Sequence, residues 1–234
     1  MITIHEKTVR GHTRGGWLDS FHTFSFGTFQ DPMRMGFGNL RVLNEDRIIP
    51  GAGFPMHDHA DMDILTYVTK GQLRHEDSQG NVSVINAGEA QLMSAGDGVA
   101  HSEYNASDSE SAHLLQIWLI PDHSGGVPSY AQTKVPEAGD VLLAGPATSG
   151  ALLPLGSQTT VTLIRAGDGE TTDLARPGAD RFVHVLDGLG FAEGERLSAG
   201  DGLQIPSGET TSLDWATEGA ALLFTMPAPR RRLH

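Results

Sequence analysis

Residues 51–63 read GAGFPMHDHADMD and residues 95–105 read AGDGVAHSEYN. Each segment carries two metal-ligand residue types at positions i and i+2: His57 and His59 in the first, His101 and Glu103 in the second. Alternate side chains of a β-strand point to the same face, so each pair can be directed into one space. Two such strands facing each other would bring all four side chains together as one candidate metal site.

Short apolar runs separated by glycine turns make up most of the chain. Between the two pairs, tight turns are expected at Lys70-Gly71 and Ala87-Gly88, as in antiparallel strands. Residues 113–120 form an apolar run of strand length that stops at Pro121. No segment has the period of an amphipathic helix of a dozen residues. The sequence therefore predicts an all-β protein, either a sandwich or a barrel of the jelly-roll kind.

The composition restricts both the partners and the metal donors. The net charge of -13 should make the surface repel nucleic acids and anionic membranes. The absence of cysteine leaves histidine nitrogen and carboxylate oxygen as the metal donors. No segment approaches the roughly 18 apolar residues of a spanning helix, so we expect a cytoplasmic protein that binds neither nucleic acid nor membrane. We expect the one basic run, residues 230–232, to be a solvated tail.

An internal repeat supports two domains. In the first half the pattern is Gly51, His57, His59, Asp63 and Gly71; at nearly the same spacing the second half has Gly169, Ala175, Pro177, Arg181 and Gly188. The glycine scaffold repeats but the metal-ligand types do not, and Leu213 stands opposite Glu103. We therefore predict two jelly-roll β-barrel domains: a metal-binding domain over residues 1–130 and a degenerate, metal-free domain over residues 131–234.

The arrangement of glycines around a His-x-His pair and a later histidine resembles the cupin superfamily. Longer strings narrow the resemblance to the pirin family of bicupins, and in particular to its bacterial members with quercetinase-like activity. These strings are SFHTFSF (20–26), DP (31–32), GFGNLRV (36–42), ILTYV (64–68), MSAG (93–96) and HSEYN (101–105). The resemblance covers residues 1–120 strongly and the remainder through the repeat.

The resemblance implies one divalent metal held by His57, His59, His101 and Glu103, with the second cupin empty. Iron(II) is the metal we expect, and copper, nickel, manganese, cobalt and zinc are the alternatives. Three imidazoles and one carboxylate leave open positions on a six-coordinate metal. A substrate and O2 could then bind together.

The implied activity is that of a quercetin 2,3-dioxygenase-like oxidoreductase, which opens a flavonol ring with O2 and releases carbon monoxide. Glu103 would be a weak ligand and the catalytic general base that accepts the proton of the 3-hydroxyl group. Two alternatives stay open. One is a non-catalytic metal- or redox-sensing module that binds regulatory proteins, and the other is dioxygenation of a different electron-rich enol or phenol. In each case we expect a monomer.

The remaining histidines are predicted to have structural roles, since an isolated histidine is more often a satisfied structural residue than a ligand. They are His5, His12, His22, His75, His123, His184 and His234. His113 is expected in or beside the core, and a supporting role at the metal stays open for it. Phe24, Phe26, Met93 and Trp118 are expected to pack in the core.

Overall fold

The computed structural model describes residues 1–228, and in this range it is built of β-strands with one short 3-10 helix, Lys7–Val9. The strands of the first half are β1 (Thr3–His5), β2 (Gly11–Gly15), β3 (Leu18–His22), β4 (Leu40–Ile48), β5 (Gly53–His59), β6 (Asp63–Lys70), β7 (Gln72–Asp77), β8 (Val82–Asn86), β9 (Glu89–Ser94), β10 (Val99–Asn105), β11 (Ala112–Leu119) and β12 (Ser129–Lys134). Those of the second half are β13 (Val141–Pro146), β14 (Leu153–Leu155), β15 (Thr160–Ala166), β16 (Thr171–Asp173), β17 (Ala179–Asp187), β18 (Leu189–Ala192), β19 (Glu195–Ser198), β20 (Gly202–Ile205), β21 (Ser212–Trp215) and β22 (Gly219–Pro227). The predicted all-β class is confirmed.

The chain divides into two compact units. The histidine unit comprises residues 11–137 and 152–157, and the carboxy-terminal unit comprises residues 1–10, 138–151 and 158 onward. This partition differs from the division predicted from the repeat, which ran over residues 1–130 and 131–234. The N-terminal segment belongs with the second half because β1 pairs with β20, with Ile4 opposite Leu203. Such a long-range pairing leaves no trace in a glycine repeat.

Two antiparallel sheets form the histidine unit. One has the strand order β5-β10-β7-β8, and the other has the order β12-β9-β6-β11-β4-β3-β2. The inward positions of β10 alternate with outward ones: Val99, His101, Glu103 and Asn105 are buried. This alternation places one polar face of β10 in the interior of the unit, where the candidate ligands lie.

Apolar clusters pack on either side of this polar interior. One cluster includes Ile48, Val68 and Leu73, all fully buried. A second is formed by Ile64, Met93, Ala95 and Val99, with Trp118 and Tyr130 packed against it. The buried polar side chains are therefore held in a frame of close-packed strands, which restricts their positions.

The carboxy-terminal unit repeats the two-sheet plan. The sheet that contains β17, β22 and β15 has Val183 opposite Leu223 and Leu163 opposite Leu222, and the smaller sheet has the order β16-β21-β18-β19. Its core contains Val183, Leu203, Leu213 and Trp215. Leu213, the counterpart of Glu103 in the repeat, is thus a core residue.

The segment around Tyr130 forms the strand β12, which pairs along its length with β9, although its sequence is also compatible with a short helical turn. The pairing places Tyr130 opposite Met93, and the hydrogen bonds of the ladder override the weak local preference of a segment rich in Gly, Pro and Ser.

Candidate metal centre

The two strands predicted to carry the ligands are neighbours. β5 and β10 are antiparallel, and His101 lies directly opposite His57. The register then shifts, so that Glu103 lies opposite Phe54 and the extra residue is in the Pro55-Met56 segment of β5. Proline cannot donate a ladder hydrogen bond and is typical of such bulges.

The three histidines predicted as ligands meet in one cluster. The Nε2 atoms of His57 and His101 are 3.1 Å apart. The ring of His59 lies 4.8 Å from that of His57 and 5.0 Å from that of His101. One nitrogen from each ring falls within 4.8 Å of the others, a spacing that could hold a metal ion.

Hydrogen bonds outside the cluster decide which nitrogen of His57 faces it. The Nδ1 atom of His57 lies 2.7 Å from the carbonyl oxygen of Pro55, and only a protonated nitrogen can make this bond. In the neutral ring the Nε2 atom therefore carries the lone pair, and this atom faces His101. The bulge that shifts the register thus also orients the first histidine.

The electrostatics of the cluster keep the imidazoles of His59 and His101 neutral. Burial, followed by the nearby His57, lowers the pKa of His59 to about 4. Burial, with the charges of His57 and His59 next, lowers the pKa of His101 to about 3. Neutral imidazole is the form that binds metals.

The donor set fits a transition metal. Among residues 1–228, the buried Nε2 atom of His59 has no hydrogen-bond partner, and a buried polar atom without a partner costs about 1–3 kcal/mol. A cation bound by the three imidazole nitrogens would remove this cost. Imidazole nitrogen suits zinc, copper, iron and nickel.

Glu103 lies deeper than the histidine cluster and is held by amide groups. Gln91 donates a hydrogen bond of 2.8 Å to Oε1, and Gln116 donates one of 2.5 Å to Oε2. Thr66 lies 3.5 Å from Oε1. The structure groups this carboxylate within ligand distance of His101 and His75, but not with His57 and His59.

The three residues around Glu103 form a row on one sheet. Thr66 on β6 is opposite Gln91 on β9 and also opposite Gln116 on β11. The row continues to Asn44 on β4 and His22 on β3. Because directly opposite residues share a face, the sheet presents a buried polar stripe to the carboxylate.

Burial raises the pKa of Glu103 to about 7, and the hydrogen bond from Gln116 opposes this shift. The charge of the buried Asp46 also raises it, while Thr66 and Gln91 lower it. A carboxyl group with a pKa near 7 can both accept and release a proton at neutral pH. This property is what a general base requires.

Sequence reasoning treated His75 as an isolated histidine with a structural role, but it lies in the same interior, within ligand distance of His101 and Glu103. Its strand β7 pairs with β10 so that His75 is opposite Glu103 and Asp77 is opposite His101. The Nδ1 atoms of His75 and His101 are 3.5 Å apart, and Nε2 of His75 is 3.1 Å from Oδ2 of Asp77. The spacing His75-x-Asp77 equals that of the two recognised pairs, and this signal could have found it.

Tyr130 contacts both His75 and Gln91, the amide that binds Glu103. Its ring stacks on His75 with centroids 4.6 Å apart, and its hydroxyl donates a 3.0 Å hydrogen bond to Oε1 of Gln91. This bond fixes the amide of Gln91 so that the NH2 group points to Glu103. Burial raises the pKa of Tyr130 to about 12, so the hydroxyl stays a donor.

A cavity of about 200 Å³ lies beside the cluster. Phe26, Phe54 and Leu18 contribute apolar wall, and Asp46 and Gln116 are among its polar lining groups. Gln116 also binds Glu103, and the ring of Phe54 is 6.4 Å from that of His57. Two residues that line the cavity therefore contact the carboxylate and His57, although neither Glu103 nor a histidine of the cluster lines it.

Most of the other histidines have partners away from the cluster. His5 bonds to Gln204, His12 to Asp19, His22 to Asn44, and His113 to Glu45.

His234 and the basic residues 230–232 lie outside the described residues. Trp118, expected in the core, packs its ring edge-on to His59 at 4.9 Å and so also borders the cluster.

Two β-sheet units, one with a partly buried histidine cluster, define the chain as an all-β bicupin. Two crystal structures of YhhW from Escherichia coli have this fold: one superposes with a TM-score of 0.94, at 38% identity, over 99% of this chain and 100% of that chain. The other, of bacterial pirin YhhW in complex with nickel(II), gives a TM-score of 0.93 at 38% identity over 98% of this chain and 100% of that chain.

Sequence comparison identifies the family. The Pirin family model matches residues 4–119. The chain is 38% identical to the quercetin 2,3-dioxygenase of Escherichia coli (strain K12), over 97% of this chain and 99% of the relative. The chain belongs to the pirin family. No helix in residues 1–228 has the length and apolar character needed to cross a membrane.

Proposed function

We propose that this chain is a divalent-metal-dependent dioxygenase of the quercetin 2,3-dioxygenase type, acting on a flavonol or a similar enol with O2. The observation that carries the proposal is the convergence of His57, His59 and His101 beside the buried carboxylate of Glu103. The 38% sequence identity to a quercetin 2,3-dioxygenase over 97% of the chain supports the same conclusion.

His57, His59 and His101 would hold the metal through ring nitrogens. Glu103, which lies within ligand distance of His101 but is not grouped with His57 and His59, would complete the set that the sequence predicts by moving toward the bound ion. We propose iron(II) as the native metal. A solved relative is in complex with nickel(II). Imidazole and carboxylate donors can bind several divalent ions, and which of these ions occupies such a site depends on availability as well as on ligand type. A bound divalent ion would act as a Lewis acid that lowers the proton affinity of a coordinated substrate hydroxyl.

Glu103 would accept the proton that leaves the 3-hydroxyl group of the flavonol. Its pKa of about 7 suits this role, because a general base works best when its pKa is near the operating pH. Gln91 and Gln116 each donate to a different carboxylate oxygen, which fixes the plane of the group. The base is therefore held in place before substrate arrives, which reduces the cost of orientation.

The cavity beside the cluster would take one ring of the substrate. Its volume of about 200 Å³ is below the roughly 300–1,000 Å³ of pockets that enclose a drug-sized ligand. It can therefore receive part of a flavonol but not all of it. Phe26 and Phe54 offer aromatic walls, and Asp46 offers a hydrogen-bond acceptor for a ring hydroxyl.

An aerobic assay with quercetin tests the proposal. The protein is loaded in turn with iron(II), nickel, copper, manganese or cobalt, and O2 consumption and carbon monoxide release are measured together. We expect equal amounts of O2 consumed and carbon monoxide released with at least one metal, and neither with metal-free protein. The His57→Ala variant should lose this activity.

His113→Ala is the matched control, because His113 is a partly exposed histidine that bonds to Glu45 outside the cluster. It should keep the parent activity. Protein that binds each metal fully but releases no carbon monoxide would overturn the proposal and favour the metal-sensing alternative. Consumption of O2 with a different phenol, and none with quercetin, would change the substrate class and leave the reaction type standing.

A further inference from the structure

We propose that Asp77 and His75 form a positioning pair that fixes which nitrogen of His101 faces the histidine cluster. The inference rests on the proposed function in one respect, that His101 is a metal ligand. It adds two residues on β7 to the residues expected to determine metal affinity.

The pair is buried and close to its target. His75 is 0% exposed and Asp77 is 6% exposed, so no bulk water competes for their hydrogen bonds. The Nε2 atom of His75 is 3.1 Å from Oδ2 of Asp77, and its Nδ1 atom is 3.5 Å from Nδ1 of His101. The three side chains thus form one line from a carboxylate to the cluster.

The donor and acceptor properties of each atom determine the direction of the hydrogen bonds that run from His101 through His75 to Asp77. An ionised carboxylate only accepts hydrogen bonds, so the hydrogen of a singly protonated His75 lies on Nε2. The Nδ1 atom of His75 is then an acceptor, and the facing Nδ1 atom of His101 must be the donor. Nε2 of His101 is left with the lone pair, and this atom faces Nε2 of His57 at 3.1 Å.

Asp77 is itself held firmly. Its Oδ1 accepts hydrogen bonds from the backbone of Gln79 at 2.9 Å and of Asn81 at 3.0 Å, and the side chain of Asn81 donates to both carboxylate oxygens. The tight turn after β7 therefore holds the carboxylate of Asp77 in the position from which it bonds to His75. The ring of Tyr130, stacked on His75, limits rotation of the imidazole.

His75 provides a hydrogen-bond acceptor for Nδ1 of His101, as the carbonyl oxygen of Pro55 does for Nδ1 of His57. In both rings a hydrogen-bond partner outside the cluster takes the Nδ1 hydrogen and leaves Nε2 directed inward. Partners of this kind orient metal-binding histidines, and their removal typically reduces metal affinity by about 10- to 100-fold.

The first test reads the tautomers directly and needs no metal. In metal-free protein labelled with 15N-histidine, we expect long-range proton–nitrogen NMR correlations to show hydrogen on Nδ1 of His101 and on Nε2 of His75. The Asp77→Asn variant replaces the acceptor Oδ2 by either a donor or a neutral acceptor, and should shift both rings toward a mixture of tautomers. His101 protonated at Nε2 in the parent would overturn the inference.

The second test measures cobalt(II) affinity by competition with a chelator, and the visible absorption bands of the bound ion. We expect Asp77→Asn and His75→Phe each to weaken cobalt(II) binding by about 10- to 100-fold and to change these bands. His75→Phe keeps the shape that packs against Tyr130. If Asp77 acts on His101 only through His75, the effects of the two substitutions are coupled. The double variant, Asp77→Asn with His75→Phe, should then bind cobalt(II) no more weakly than His75→Phe alone.

Asp19→Asn is the matched control, since Asp19 bonds to His12 at 2.6 Å in a partly exposed pair on β2 and β3. It should leave cobalt(II) affinity unchanged. Additive losses in the double variant, or parent affinity in Asp77→Asn with the parent tautomers, would contradict the positioning role. If the parent bound no metal, the proposed function would fail, while the NMR measurement would still decide the inference.

Discussion

His101 lies directly across the β5–β10 ladder from His57, and the two Nε2 atoms are 3.1 Å apart. Both atoms present lone pairs when the Nδ1 atoms carry hydrogen, as the bonds of His57 to Pro55 and of His101 to His75 require. Two facing lone pairs repel each other unless a cation lies between them. The pairing of β5 with β10 therefore places two Nε2 lone pairs in a repulsive arrangement, and a bound metal ion would make this arrangement favourable.

Metal binding should consequently stabilise the fold. A ligand that binds only the folded state at 100 times its Kd adds about 2.7 kcal/mol to the free energy of unfolding. We expect nickel(II) to raise the Tm of the parent and to leave the Tm of His57→Ala unchanged. Thermal unfolding followed by circular dichroism, with and without nickel, measures this. A parent Tm that does not respond to nickel would contradict the prediction.

Gly53 sets the distance between the two ligand strands. A Cβ atom at this position would lie 2.1 Å from the backbone oxygen of Glu103 and 2.5 Å from Cα of Tyr104. The Gly53→Ala variant must therefore push β5 away from β10 and separate His57 from His101. We expect a destabilisation of about 1–3 kcal/mol, typical of overpacking, together with weaker metal binding.

Urea unfolding and nickel titration of Gly53→Ala provide the two measurements. Gly15→Ala is the matched control: Gly15 is also in a strand, and a Cβ atom there would meet nothing within 4 Å. Equal stability and equal nickel affinity in the two variants would mean that the close approach at Gly53 does not constrain the ligand strands.

The sequence contained enough information to predict the all-β class and the meeting of three histidines. Alternation along a strand is a local property, so His57 and His59 could be assigned to one face without knowing their neighbours. That His101 faces them follows from an antiparallel pairing, which the glycine turns between the two segments made the natural arrangement. The three imidazoles converge in the structure as this reasoning expected.

The surroundings of Glu103 could not be predicted in the same way. Gln91, Thr66 and Gln116 lie on three different strands, and they become neighbours only through the register of the sheet. Nothing in the type of a glutamine within a strand indicates that it will bind a carboxylate. The bulge before His57 has the same origin, since a register shift depends on both partner strands. His75 was predictable in principle, because its spacing to Asp77 repeats the i and i+2 pattern.

Asp46 should make stability depend on pH. Burial is the largest cause that raises its pKa from 3.8 to about 6, and the hydrogen bond from Ser20 opposes this shift. Because the folded state binds the proton more tightly than the unfolded state does, the stabilisation is present below pH 4 and is lost as the pH rises through about 6. The full shift corresponds to about 3 kcal/mol.

Urea unfolding of metal-free protein between pH 5 and pH 8 should therefore show a smaller loss of stability in Asp46→Asn than in the parent. The parent also contains Glu103, whose raised pKa acts in the same direction. Because the charge of Asp46 contributes to that raised pKa, the difference between the two proteins reports the titration of Asp46 together with its coupling to Glu103. Parallel curves for parent and variant would show that Asp46 does not titrate differently in the folded state.

Replacement of Glu103 by glutamine should separate metal binding from turnover. The amide side chain of the Glu103→Gln variant would keep an oxygen near His101 but could not accept a proton at neutral pH. Its NH2 group would face the NH2 donor of Gln91 or Gln116, which now donate to the carboxylate at 2.8 Å and 2.5 Å. An unsatisfied buried donor costs about 1–3 kcal/mol, so the variant should also be less stable by this amount.

We expect the Glu103→Gln variant to retain part of its nickel or iron content and to lose carbon monoxide release from quercetin. Metal analysis of the purified variant and the aerobic quercetin assay measure the two properties separately. Glu45→Gln, which alters the carboxylate that bonds to His113 outside the cluster, should keep the parent turnover. Parent turnover in Glu103→Gln at full metal occupancy would remove Glu103 from the role of base, because an amide cannot take up the proton of the substrate hydroxyl, and would leave it a structural anchor between Gln91 and Gln116.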